Sequence, residues 1–244
     1  MKKSFFPFAL AILFFMGCKK DEEETHWDYE NPQWQSQGYS DCAGLVQSPI
    51  NIVTTETIKA NLPTINFNYS AFNASSLDNG HTLQINNVGN SQVTYNGKPY
   101  KLKQFHFHAK SEHKIDGSQS PVEIHFVHQN ESNGTLLVLG VMLDGSGSDN
   151  AGMAKYLGSL PTEKMKEMAT TISIDPNLLF PASKNYYNYT GSLTTPPCSQ
   201  GLNWIVLKDK LPVSAAQIAG FEKIYNHNYR PIQETGSRTV FESL

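Results

Sequence analysis

The stretch QFHFH, residues 104–108, limits what this chain can become more than any other. Imidazole and aromatic side chains alternate with a period of two, the period of a strand and not of a helix. On a strand, His106 and His108 share one face and Phe105 and Phe107 the other. The two histidine Cα atoms then lie about 6.6 Å apart. One face needs a core and the other needs polar partners. A second stretch, VEIHFVHQ at 122–129, follows the same rule. It puts Glu123, His125 and Val127 on one face and Ile124, Phe126 and His128 on the other. If the two strands are neighbours, three imidazoles meet. Three neutral nitrogen donors with one open position suit a catalytic zinc site, whereas a structural zinc takes four protein ligands, usually with thiolates. An alternating histidine pair alone fits better a half-buried strand whose histidines face water or are satisfied in a core, and the third histidine, with an acid two residues before it, makes the two readings even.

The remaining chain reads as one β-rich domain over residues 26–244, mainly β in a mixed α/β sense, with a few peripheral helices. Strand-like runs are TINFNY, HTLQINNV, SQVTYN, YKLKQFHFH, VEIHFVHQ, TLLVLGVML and LNWIVL, separated by Gly, Asn, Asp and Pro. Residues 26–45 are rich in Trp, Tyr, Gly and Pro without periodicity and are expected as irregular structure packed on the domain. Helices are expected in DNAGMAKYLGSL, TEKMKEMA and SAAQIAGFEKIYN, the last with Ser214 as N-cap after Pro212. The chain has 244 residues and shows no compositional break that would mark a second domain. A formal net charge of -3 gives no electrostatic case for nucleic acid.

Residues 1–18 read as an export signal, with Lys2 and Lys3 before an apolar run that ends at Gly17 and Cys18. Cys18 resembles the lipidated cysteine of a lipobox, although Phe15 and Met16 are imperfect matches. The charged residues 19–25 read as a tether. Those signals place the protein outside the cytoplasm, in the periplasm or as a lipoprotein anchored at the outer membrane or surface of a Gram-negative bacterium. With Cys18 lipidated, Cys42 and Cys198 remain of the three cysteines. An oxidising compartment permits a disulfide between them, the alternative being two free buried thiols.

Nine motifs occur in order: SPINI (48–52), NGH (79–81), QFHFH (104–108), SEH (111–113), EIHFVH (123–128), VLG (138–140), GSLTTPPC (191–198), WIVL (204–207) and NYRP (228–231). In this order they resemble an α-class carbonic anhydrase of the bacterial, secreted kind, from about His26 to the C-terminus. The resemblance implies one large, mostly antiparallel twisted sheet with zinc on its central strands. It implies reversible hydration of CO2 to bicarbonate and a proton by zinc-hydroxide attack, with a histidine proton shuttle. A non-catalytic module on the same fold and a zinc hydrolase of activated esters are competing expectations. Retention of the three histidines argues against the module, and a narrow apolar pocket argues against the hydrolase.

By the same resemblance, His106, His108 and His125 bind Zn²⁺. Gln104, Glu123 and the backbone carbonyl near Asn228 are the partners that orient them. Thr194, partnered by Glu112, orients the nucleophile, and Thr195 lines the same site. Val127, Val138, Leu193 and Trp204 form an apolar CO2 pocket. His81 is the shuttle, since an imidazole with an ordinary pKa near about 6.5 can relay protons through water, and Tyr29 and Asn79 order the relay waters. His113 and His128 are expected to be buried and hydrogen-bonded, and His26 and His227 to be on the surface. Ala109 stands where animal members often carry Trp. The implied partners are CO2 and bicarbonate, and a membrane through the lipid anchor. Oligomeric state stays open, a dimer included.

Overall fold

The computed structural model describes residues 26–244. The export signal, Cys18 and the charged tether fall outside the described residues. In chain order the strands are β1 (Asn51–Ile52), β2 (Ile58–Ala60), β3 (Asn66–Asn68), β4 (Phe72–Asp78), β5 (Leu83–Asn86), β6 (Gln92–Tyr95), β7 (Lys98–His108) and β8 (Lys114–Ile115). They continue with β9 (Ser118–Gln119), β10 (Val122–Gln129), β11 (Leu136–Asp144), β12 (Met168–Ile174), β13 (Tyr186–Ser192), β14 (Gln200–Leu207), β15 (Leu211–Pro212) and β16 (Phe241–Ser243). Two α-helices accompany them among the described residues, α1 (Ala151–Gly158) and α2 (Ala215–Glu222).

Thirteen strands share one sheet, whose main path runs β12-β4-β5-β7-β10-β11-β14-β13-β16-β2. Most neighbours are antiparallel. The β11/β14, β11/β15 and β16/β2 pairs are parallel. A parallel pair needs a long crossover, and between β11 and β14 the chain uses that length for α1, β12 and β13. β7 and β10 are adjacent in mid-sheet and both carry the alternating pattern. Their register sets His125 opposite His106, Glu123 opposite His108 and Val127 opposite Gln104.

One face of this pair drives folding. Phe105, Phe107, Ile124 and Phe126 are fully buried in the larger core, against Leu139, Tyr156, Ile205 and Phe221 among others. Removing each such phenylalanine from water stabilises by about 2–3 kcal/mol. On the opposite face a smaller cluster gathers Ile50, Ile52, Val138, Tyr189, Trp204 and Val206. The histidines lie on that second face. The helices are capped as their sequences indicate. Asn150 accepts the Met153 N–H at 2.9 Å, and Ser214 and Gln217 form a reciprocal capping box.

One expected helix is absent. TEKMKEMA forms an irregular turn that runs into β12. Met165 has φ +59°, and its N–H donates to the Asp78 carbonyl at 2.7 Å. An isolated eight-residue helix is marginal in water. Pairing with the edge of β4, Met168 opposite Ser76, gives these residues backbone partners a helix would not have supplied to β4.

Candidate active site

Alternation on β7 and β10 delivers three imidazoles to one point. The donor nitrogens of His106, His108 and His125 lie within 4.8 Å of one another. Each ring has an oxygen facing its far nitrogen. His106 Nδ1 donates to Gln104 Oε1 at 2.8 Å, and His108 Nδ1 to the Asn228 carbonyl at 2.6 Å. His125 Nε2 lies 3.0 Å from Glu123 Oε1. Those contacts turn His106 Nε2, His108 Nε2 and His125 Nδ1 toward the shared point as lone-pair donors. His108 Nε2 is buried without a hydrogen-bond partner, an arrangement that costs free energy unless something occupies that point. Burial lowers the pKa of all three, of His106 well below the ordinary value and of His108 to about 4. Neutral imidazoles are the form a metal needs. The donor set fits a divalent borderline metal such as zinc.

Glu123 is the most heavily engaged acceptor. Its Oε2 receives the Glu112 and His113 N–H groups, each at 2.8 Å, and its Oε1 receives His113 Nδ1 at 2.7 Å. Burial alone would raise this carboxyl, but His113 and His125 draw it well below its ordinary value. Gly140, opposite His125 on β11, makes the space: a Cβ there would lie 2.8 Å from Glu123 Oε1.

Glu112 has Oε2 3.5 Å from His108 Nε2 and 3.7 Å from His125 Nδ1, while Oε1 accepts the Arg230 N–H at 2.7 Å. Burial pushes its carboxyl up to about 7, opposed by His125, the Arg230 N–H and a hydrogen bond from Thr194. Thr194 is buried on the 193–199 loop. That loop is fastened by the Leu193 N–H to the Ser199 carbonyl, by the Cys198 N–H to the Thr195 carbonyl, and by a Cys42–Cys198 disulfide spanning 156 residues. The paired cysteines remove the alternative of two free thiols.

A cavity of about 100 Å³ opens above the histidines, lined by Trp27, Tyr29, Asn79, His81, Thr82, Gln84, Gln104, His106, His108 and Thr195. Its lining does not include Val127, Val138, Leu193 or Trp204. Those four pack together in the second cluster, with the Trp204 ring 4.8 Å from that of His125. Asn79 Oδ1 accepts the His81 and Thr82 N–H groups, so its carbonyl shapes the turn that carries His81. His81 stacks on Trp27 at 3.6 Å and 8°. Burial and His26 lower its pKa, against Asp28 and Asp78. His113 and His128 are buried and bonded, the latter to the Tyr69 hydroxyl at 2.6 Å, and His26 and His227 are exposed. The sequence reading missed Trp27, Gly140 and Arg230. VLG and NYRP flagged two of them only as letters in a motif, and nothing periodic marks Trp27.

Fold and site together define a β-sheet enzyme with three converging histidines that could hold a metal beneath a small cavity. The profile of the family described as eukaryotic-type carbonic anhydrase matches residues 29–244, and the chain belongs to that family. It is 37% identical over 228 residues to a carbonic anhydrase of Klebsiella pneumoniae, covering 89% of this chain and 91% of that one. It is 39% identical to a carbonic anhydrase of Neisseria gonorrhoeae, covering 89% and 88%. The α-carbonic anhydrase of Thermovibrio ammonificans, solved with the inhibitor sulfanilamide, superposes with a TM-score of 0.84 at 39% identity over 89% of this chain and 99% of that one. The family's activity is carbonate dehydration and its reverse, hydration of CO2.

Proposed function

We propose that His106, His108 and His125 hold zinc and that the protein hydrates CO2 there with His81 as proton carrier. The observation that carries this reading is the set of three converging nitrogens whose opposite ring nitrogens each face an oxygen. Zinc bound at such a site lowers the pKa of a water ligand to about 7, which supplies a hydroxide nucleophile at neutral pH. Carbonic anhydrase is the standard example for that value.

The chain's own residues do the rest. Thr194 donates its hydroxyl proton to Glu112, so its oxygen is left to accept a hydrogen bond and aim the nucleophile's lone pair. A divalent cation on His108 and His125 favours the ionised form of the adjacent Glu112. The Thr194 N–H is assigned to a substrate oxygen and Thr195 to the cavity wall. Of the apolar cluster beside His125, Val127 and Leu193 are only partly buried and are the surface assigned to CO2, which has little to hydrogen-bond, while Val138 and Trp204 pack against them as core. His81, at the cavity rim and with its pKa lowered by burial and His26, accepts the proton released as CO2 and water become bicarbonate, then passes it to bulk buffer. Tyr29 and Asn79 line the intervening space. The disulfide supports an extracytoplasmic site of action, in keeping with residues 1–18 as export signal and Cys18 as lipid anchor.

The test is stopped-flow CO2 hydration on protein stripped by a chelator and then given one equivalent of zinc. Activity should vanish on stripping and return with the metal. Equal activity in the stripped protein would contradict the proposal.

A further inference from the structure

A chain of buried polar groups leads away from the histidines, and nothing in the reaction described above uses it. It starts at Glu123, passes through His113, and reaches the Tyr189 hydroxyl 2.6 Å from His113 Nε2. Tyr189 in turn lies 2.8 Å from Ser48 Oγ, and Ser48 Oγ accepts the Ser192 N–H at 3.1 Å. His113, Glu123, Tyr189, Ser48 and Ser192 are all buried. Gly191 leaves room for this contact, because a Cβ there would lie 2.1 Å from Ser48 Oγ.

Donor and acceptor roles are fixed at the Glu123 end of the chain. The Glu112 and His113 backbone N–H groups can only donate, and the Glu123 carboxylate that receives them only accepts. His113 Nδ1 must then carry its proton toward Glu123. With the single proton of a neutral imidazole on Nδ1, Nε2 is an acceptor; in that arrangement Tyr189 donates to His113 Nε2 and accepts from Ser48. All donors point toward Glu123, whose Oε1 also faces His125 Nε2. That polarity keeps the His125 proton on Nε2 and its lone pair on Nδ1, toward His106 and His108.

We propose that Tyr189 is a positioning residue: acting through His113 and Glu123, its hydroxyl holds His125 in the tautomer and orientation that bind the metal. This rests on the reading that the histidines hold zinc. The ring of Tyr189 is stacked on Trp204 at 6.3 Å and 10° and packs beneath Arg238. Tyr189→Phe keeps both contacts and deletes only the donor.

The test uses zinc-loaded and metal-free full chain, wild type and Tyr189→Phe. It reads zinc dissociation into excess chelator, the visible spectrum of the cobalt-substituted protein, and melting temperature with and without metal. Groups that touch a metal ligand directly change metal affinity by about 10–100-fold, and a group one step further out should change the dissociation rate by roughly three- to tenfold. The variant should release zinc faster by that factor, alter the cobalt spectrum, and lose more melting temperature loaded than metal-free. Ser48→Ala, which deletes the donor to Tyr189, should shift the same readouts in the same direction by less, and it carries the test if Tyr189→Phe does not fold. Unchanged release and spectrum, with loaded and metal-free melting lowered equally, would reduce Tyr189 to a structural hydrogen bond. A wild type that binds no zinc would sink the metal reading itself, whereas tight wild-type binding with unaltered variants sinks this proposal alone.

Discussion

Adding one methyl group at Gly140 should disturb the site more than the fold. The new Cβ would lie 2.8 Å from Glu123 Oε1, 3.6 Å from Val206 Cγ2 and 3.8 Å from Trp204 Cζ3. The last two are ordinary contacts, so the strain falls on the carboxylate. Glu123 cannot swing away cheaply, since it is held by the Glu112 and His113 N–H groups and by His113 Nδ1, all within 2.8 Å. Either β11 moves off β10 or Glu123 tilts and loosens its 3.0 Å contact with His125. Overpacking of this kind costs about 1–3 kcal/mol. A weakened partner of a metal ligand reduces metal affinity by about 10–100-fold. Gly140→Ala is therefore expected to lower the denaturant midpoint modestly and zinc affinity severely, measured by urea unfolding of the metal-free protein and by competition with a chromophoric chelator. A variant that loses the full 1–3 kcal/mol while binding zinc as tightly as wild type would refute the reasoning, because the strain would then have gone into the strands and bypassed Glu123.

Other outcomes follow from the same geometry. Burial holds His128 down at about 3, so between pH 6.5 and 3 the unfolded chain binds a proton there that the folded chain does not, and stability must fall as pH falls through that window. The accumulated effect is on the order of 5 kcal/mol, and His128→Phe should flatten the acid limb of metal-free stability against pH; an unchanged slope would count against it. Reducing the Cys42–Cys198 bond releases a loop of 156 residues, worth about 5 kcal/mol in the chain-entropy picture. Strong reductant should therefore lower the melting temperature, and no change would show the bond to be energetically idle. His81→Ala should slow hydration in dilute buffer by roughly 10–100-fold, with recovery on adding imidazole; full activity in dilute buffer would remove His81 from the proton path.

The parts of this molecule that were legible in the sequence are those where one periodicity meets one chemistry. β7 and β10 alternate apolar and polar residues because one face packs on Phe107, Phe126 and their neighbours while the other carries the site. That pattern puts His106 and His108 on one face of their strand and His125 with Glu123 on one face of theirs, and the resemblance adds Gln104 as a partner. β4, FNASSLD, escaped because it is short of β-branched residues and is held by its neighbours β5 and β12. TEKMKEMA misled because helix-forming residues were recruited to a sheet edge, a tertiary demand that local propensity does not encode. Trp27 stacks on His81 from a segment without regular structure, and its partner lies more than fifty residues away. Gly140 matters for the side chain it lacks, which no pattern of apolar and polar letters reveals.

The central claim is that three imidazoles on two adjacent strands hold the metal on which CO2 hydration depends. Its most direct test measures zinc content and stopped-flow CO2 hydration together, on wild type and His108→Ala purified alike. The predicted result is about one zinc per chain with rapid hydration in wild type, and loss of both in the variant. Hydration that persists in a His108→Ala protein free of zinc would contradict it.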